Sequence, residues 1–340
     1  MEQETGRRMS LPPELDAIYA PIRDELEETE KMLRGVLCSE HPFVDQLVRH
    51  GFRMGGKRLR PALVLLSGIA CGSLTETHRT LAAAVEIIHT ATLVHDDILD
   101  EATTRRHMET INARWSTEAG VLVGDLLLAQ ALCLAAESDD PIAVREIAAG
   151  CKIMCEGELR QTASRGDFGL TEDEYFKIIE GKTASLLRVC CRLGAHFAGG
   201  TPEQVDALGE FGRKIGLAFQ IVDDLLDLLG DESRVGKSLG TDLKKRKLTL
   251  PMIRLLECSS TKRREELLAA WEEEEPAADE NLSNGDLTAS LKNSDAIAYA
   301  EEAAKREIEE AVELLRAILP DSEPRTALEG LAHFVVKRSM

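Results

Sequence analysis

Apolar residues recur three and four apart along nearly the whole chain, as in LAAAVEIIHTATLV and AFQIVDDLLDLL, and alternating β-branched runs at strand spacing are absent. This period predicts helices over 14–35, 42–51, 58–71, 76–101, 116–136, 141–162, 171–180, 182–199, 202–229, 247–258, 261–272, 288–318 and 324–338. Gly, Pro or Asp/Ser clusters separate them. The expected fold class is all-α, a single domain over 1–340, since a helical chain of this length can bury one large core. The segment 271–288, WEEEEPAADENLSNGDLT, is too acidic and too rich in turn residues to pack, and is expected to be a flexible acidic loop.

Charge narrows the function. With 60 acids against 41 bases the formal charge is −19, which excludes nucleic acid as a partner because the phosphate backbone needs a broad surplus of Lys and Arg. A phosphate ligand then needs a metal or a local basic pocket. The eight cysteines have no C-x-x-C pairing or metal-ligand spacing and read as small buried hydrophobes in a reducing compartment. No window of eighteen or more apolar residues is evident, and the first residues lack a signal-type apolar core. A cytoplasmic protein without a membrane span is expected.

Two Asp-Asp-x-x-Asp segments interrupt this apolar pattern. In HTATLVHDDILD, Asp96 and Asp100 lie about 400° apart around a helix and share a face, with Asp97 beside them. In FQIVDDLLD, Asp223 and Asp227 repeat the geometry with Asp224 adjacent. Like charges at this spacing cost helix stability. One such cluster on an amphipathic helix is ordinarily a solvated acidic face; two inside apolar helices call for a cation. Hard oxygen donors in open geometry suit Mg²⁺, which keeps waters and binds through one or two carboxylates plus substrate phosphates. Neither segment has an EF-hand loop.

Basic residues complement them. GGKRLRP places Lys57, Arg58 and Arg60 within one turn behind Gly55 and Gly56, an arrangement suited to an anion. A basic helix start opposes the dipole, so a purely structural use is less natural. Arg105 and Arg106 return toward Asp96 only if the helix ends near Glu101 and the chain turns at 102–104. His89, two turns before Asp96, either hydrogen-bonds a ligand or is a satisfied core histidine. Lys182 in GKTASLL, Lys237 in GKSLGTD and Lys247 in the run 244–247 recur beside Gly and Thr, as phosphate contacts do.

GGKRLRP (55–61), HTATLVHDDILD (89–100), the paired arginines (105–106), GELRQ (157–161), KTASLL (182–187), FQIVDDLLD (219–227), GKSLGTDLKKRKLTLP (236–251) and a C-terminal VVKRS stand in the order found in one family. The chain resembles the trans-isoprenyl diphosphate synthases, or polyprenyl synthetases, and in pattern the long-chain octaprenyl and solanesyl type. The resemblance implies a bundle of long, mostly antiparallel helices around a deep central apolar cavity, with the aspartate segments facing each other across its mouth. It also implies a homodimer and about three Mg²⁺ ions per site.

On that resemblance Asp96, Asp97, Asp100, Asp223, Asp224 and Asp227 serve the metal-bound allylic diphosphate, with Asp96, Asp100, Asp223 and Asp227 as ligands. Arg105, Lys182 and Lys237 contact the diphosphate directly, and Lys247 joins them on closure. Lys57, Arg60, His89 and Arg106 hold isopentenyl diphosphate, while Thr183 and Gln220 steady the cation formed on ionisation. Chain length passes to Ala91 and Thr92, five and four residues before Asp96, and to Ile88 beneath them. No aromatic plug stands there, so the expected product exceeds twenty carbons; peripheral membrane contact through that lipid is compatible. A geranylgeranyl or farnesyl synthase and a non-catalytic subunit of a heteromeric synthase are the alternatives. Intact second aspartates disfavour the subunit. Two positions depart from the family: His107 and Arg246 stand where Gly, or Gly or Asn, is usual.

Overall fold

A computed structural model describes residues 11–52, 56–229, 241–272 and 285–337. In chain order its helices are α1 (Pro13–Ile18), α2 (Arg23–Val36), α3 (Pro42–Phe52), α4 (Leu59–Cys71), α5 (Glu76–Leu99), α6 (Ile111–Arg114), α7 (Thr117–Ala136), α8 (Ile142–Ala163), α9 (Glu172–Ile179), α10 (Ser185–Phe197) and α11 (Pro202–Leu229). They are followed by α12 (Thr241–Lys244), α13 (Leu250–Cys258), α14 (Thr261–Glu272), α15 (Gly285–Lys292), α16 (Ala296–Ile318) and α17 (Glu323–Lys337). The all-α expectation holds.

The departures from periodicity have local causes. The helix expected over 14–35 is broken by a 3₁₀ turn at Ala20–Ile22, where Pro21 removes a donor and restricts the residue before it. The helix expected over 288–318 is two helices, because Ser294 turns its hydroxyl to the backbone N–H of Ala296 and starts α16 afresh. The expected loop 271–288 is helical at both ends, with Trp271 buried and its indole N–H donated to the Leu243 carbonyl at 3.0 Å. Residues 273–284 lie outside the described residues. A two-stranded hairpin, Thr104–Arg105 against Met108–Glu109, was not expected. Its turn residues Arg106 and His107 both have positive φ, 51° and 62°, as a type I′ hairpin requires.

One hydrophobic cluster runs from Leu15 to Val336. α5 packs against α4 and α7, α10 against α4 and α11, and α11 against α16. Each fully buried leucine, such as Leu63, Leu65 and Leu66 of α4, contributes about 1.5–3 kcal/mol relative to exposure. Between α9 and α10 the expected break at residue 181 is a π turn, Glu180–Ala184, inside a continuous helical run. Its close neighbours explain it. A Cβ on Gly157 of α8 would lie 2.6 Å from the backbone N of Lys182, and one on Gly216 of α11 would lie 2.3 Å from Cα of Ala184. Two backbones thus close on the turn, one at Lys182 and one at Ala184.

One further expectation is corrected. Only Cys190 and Cys191 are buried; Cys71 and Cys151 are half-buried, and Cys38, Cys133, Cys155 and Cys258 are exposed. Helix α7 is long and apolar enough to cross a membrane by length and composition. Val123, Leu127, Ala131 and Leu134 face the core, while Val121, Leu122 and Leu126 are exposed on the same helix. Both faces are apolar, so the run exceeds what a one-sided core helix needs.

Candidate active site

The end of α5 presents the first aspartates. Asp97 is buried and accepts from Arg105 Nε at 2.6 Å; the hairpin has brought that arginine back, as a turn after Glu101 was expected to do. Glu101 itself is left-handed, φ 52°, and ends the helix. Asn112 donates to the carbonyl of Ala102 at 3.0 Å and ties the following loop down. Asp96 is half-buried and Asp100 exposed. Burial pushes the Asp96 carboxyl up against the opposing charge of Lys182, and burial likewise raises Asp97 despite Arg105. For Asp100 burial is outweighed by the hydrogen bond and charge of Lys245, and its carboxyl sits below the usual range.

The second aspartates lie on α11. Asp224 is buried and accepts three hydrogen bonds: from the Tyr175 hydroxyl at 2.8 Å, from Gln220 Nε2 at 2.9 Å and from Lys247 Nζ at 3.1 Å. Thr183 donates to Gln220 Oε1 at 2.7 Å and so fixes which end of that amide faces Asp224. Asp227, also buried, accepts from the backbone N–H of Asp242 at 3.0 Å. Asp223 is half-buried on the same helix. Burial raises the Asp224 carboxyl against the charge of Lys247. The Lys247 ammonium is held above its usual range, because Asp224 and Asp242 outweigh its desolvation.

The segment 242–247 joins the two jaws. Lys245 donates to the carboxylate of Asp100, and to its carbonyl at 3.2 Å, while Lys247 reaches Asp224 and Asp242, each at 3.1 Å. Two ammonium groups two residues apart thus touch both aspartate segments. On the third side Lys182, carried by the π turn, pairs with Glu158 of α8 at 2.6 Å and lies in the field of Asp96.

The basic wall stands around His89. Burial, reinforced by the charges of Arg60, Arg106, Arg105 and Arg58, holds its imidazole well below the usual range. Arg60 Nε is buried without a hydrogen-bond partner. Lys57 lies over the Phe334 ring, 5.1 Å from its centroid. A Cβ on Gly56 would be 3.6 Å from an Arg106 guanidinium nitrogen and 3.5 Å from one of Arg58, so the glycine leaves room for both. Arg58 differs from the expectation that it joins this wall. It is left-handed, φ 53°, and turns inward to Glu86 at 2.7 Å and to Glu30, a buried triad that fixes the segment instead of binding an anion.

The structure therefore joins these residues pairwise: Asp97 to Arg105, Asp100 to Lys245, Asp224 to Lys247 and Gln220, Gln220 to Thr183, Asp227 to the backbone of Asp242, and Asp96 to the charge of Lys182. Lys237 and Gly55 lie outside the described residues. Sequence reasoning gave no role to Tyr175, Glu158, Asp242 and Lys245. Tyr175 is 49 residues from its partner and carries no local signal; Glu158 was visible only within GELRQ.

Among the described residues no three His, Cys, Asp or Glu side chains already form a metal cage. The donor chemistry nonetheless fits a hard divalent cation: all-carboxylate jaws in which desolvation by burial pushes Asp96, Asp97 and Asp224 up in spite of Lys182, Arg105 and Lys247 nearby. Such an ion would complete its shell with phosphate oxygens and water.

The chain is similar to known proteins along most of its length. A family model described as polyprenyl synthetase matches residues 41–284. The chain is 35% identical over 322 residues to an all-trans-nonaprenyl-diphosphate synthase (geranyl-diphosphate specific) of Rhodobacter capsulatus, spanning 94% of this chain and 97% of that protein. It is 36% identical over 293 residues to a short chain isoprenyl diphosphate synthase of Methanothermobacter thermautotrophicus, spanning 85% and 88%. A solved polyprenyl synthase from Caulobacter crescentus, complexed with calcium and isoprenyl diphosphate, superposes with a TM-score of 0.88 at 30% identity over 98% of this chain and 100% of that one. The chain belongs to the polyprenyl synthetase family of prenyltransferases.

Proposed function

We propose that this enzyme condenses isopentenyl diphosphate with an allylic diphosphate to give an all-trans polyprenyl diphosphate longer than twenty carbons. The observation that carries the reading is the reach of Lys245 and Lys247 from one short segment to both aspartate jaws, together with the arginines around His89, one of which, Arg60, has an unpartnered Nε. Two unlike anion sites side by side fit two diphosphates, one metal-rich and one metal-poor.

In this reading Asp96, Asp100, Asp223 and Asp227 hold Mg²⁺, about three ions by family resemblance, and the bound metal supplies electrostatic stabilisation of the leaving diphosphate. Arg105, Lys182 and Lys247, with Lys237, orient that diphosphate and take up the charge that develops as the allylic C–O bond breaks. Lys57, Arg60 and Arg106 hold isopentenyl diphosphate, and neutral His89 donates a hydrogen bond to it. The double bond of isopentenyl diphosphate attacks the allylic cation, and the departing diphosphate accepts the proton lost. Thr183 and Gln220 already spend their polar groups on each other and on Asp224, so they act on the cation chiefly through Asp224's placement.

Product length is supported by the face of α5 beneath Asp96. Ala91, Ile88 and Ala84 are buried along one line and are small or aliphatic, and Thr92 ties its hydroxyl to the carbonyl of His89 at 2.8 Å. The nonaprenyl relative agrees with a long product. The short-chain relative at similar identity means that these residues, more than overall likeness, carry the argument. Incubation with Mg²⁺, isopentenyl diphosphate and a series of allylic primers should yield products beyond twenty carbons, and Ala91→Phe should shorten them. No turnover with any primer would refute the activity; unchanged length in Ala91→Phe would refute the role of this face.

We further propose a cytoplasmic homodimer of single-domain subunits. Exposed apolar residues on both α7 and α8, with Leu122 67% and Leu159 69% exposed, support the dimer.

A further inference from the structure

We propose that Tyr175 is a positioning residue of the allylic diphosphate site, acting on Lys247 through Asp224. The inference rests on the functional reading above in one respect, that Lys247 meets the diphosphate.

Asp224 is buried with 2% of its surface exposed, and its oxygens are divided between donors. Oδ1 takes Gln220 and Lys247; Oδ2 takes the Tyr175 hydroxyl. Tyr175 is itself 1% exposed on α9, so no water replaces it without reorganisation. The Gln220 amide cannot turn to help, because Thr183 already occupies its carbonyl at 2.7 Å. Lys247 is therefore the one mobile donor to Asp224 among these groups. Its second carboxylate, Asp242, is anchored separately, since the Asp242 N–H is bound by Asp227, the Leu243 carbonyl by Trp271 and the Arg246 carbonyl by the Gly166 N–H, each at 3.0 Å.

A buried acceptor left without its donor is costly, about 1–3 kcal/mol. Remove the Tyr175 hydroxyl, and the least costly repair is for the Lys247 ammonium to turn toward Oδ2, away from an incoming anion. The hydroxyl thus satisfies Asp224 so that Lys247 stays shared and available. A residue whose importance is only to pack α9 against α11 would not discriminate between the two substrates.

The test is calorimetric binding of inorganic diphosphate in the presence of Mg²⁺ to the full chain, with Tyr175→Phe, Lys247→Met and the double variant. Tyr175→Phe is expected to weaken binding about ten-fold, Lys247→Met at least as much, and the double variant no more than Lys247→Met alone. In steady state Tyr175→Phe should raise KM for the allylic diphosphate and leave KM for isopentenyl diphosphate unchanged. Wild-type affinity in Tyr175→Phe, losses that multiply in the double variant, or equal shifts in both KM values would overturn the proposal while leaving the enzyme's function intact. Failure of the wild type to bind diphosphate with Mg²⁺ would overturn both.

Discussion

His89 shows how a residue acquires a role from its neighbours. Unfolded, its imidazole titrates near pH ~6.5. Folded, burial and the charges of Arg60, Arg106, Arg105 and Arg58 keep it neutral to a lower pH. Between those values the unfolded chain binds a proton that the folded chain refuses, so stability is full above about pH 6.5 and is lost as pH falls below it. Relative to wild type, His89→Gln should flatten the decline of the unfolding midpoint between pH 7 and pH 5, measured by thermal denaturation. Parallel pH profiles would show that the imidazole titrates normally. The two departures from the family pattern also become intelligible at this scale. His107 and Arg246 have φ of 62° and 51°, the left-handed region that Gly and Asn tolerate best. Both side chains are exposed, and the backbone keeps its turn.

Among the elements, the π turn at Glu180–Ala184 is what aims Lys182 at Asp96 and Glu158. Extra residues in a helical turn rotate everything after them, and such turns gather at functional sites. Gly157 and Gly216 let two helices close on it to backbone contact. Gly157→Ala should therefore cost about 1–3 kcal/mol in denaturant unfolding by overpacking, and should lower turnover beyond what that loss of stability accounts for by moving Lys182. A variant as stable and as active as wild type would mean that the backbone yields freely there.

At the scale of the whole molecule, the apolar surface is uneven. Val121, Leu122 and Leu126 of α7 and Ile153 and Leu159 of α8 are exposed large hydrophobics, while the chain as a whole carries a charge of −19. Exposed apolar residues of this kind favour a specific self-contact, which must overcome the long-range repulsion between two copies of like charge. The wild type should sediment as a dimer, and Leu122→Glu with Leu159→Glu should sediment as a monomer with its helical circular dichroism retained. A monomeric wild type at micromolar concentration would remove the dimer from this account.

Sequence alone determined the helical class, because the 3.6-residue period of apolar positions is a local property that each segment carries for itself. It also determined the chemistry of the jaws, since carboxylates four apart share a helical face wherever the helix goes. Tertiary structure decided which groups meet. Arg58 and Arg60 are two residues apart, yet one is locked to Glu30 and Glu86 and the other is left with a buried unpartnered nitrogen. Tyr175, Asp224 and Lys247 come from three separated segments and share one carboxylate. Pairing across such separations depends on how helices dock, and docking depends on close backbone contacts such as that between Gly157 and Gly181, whose partner no local pattern names.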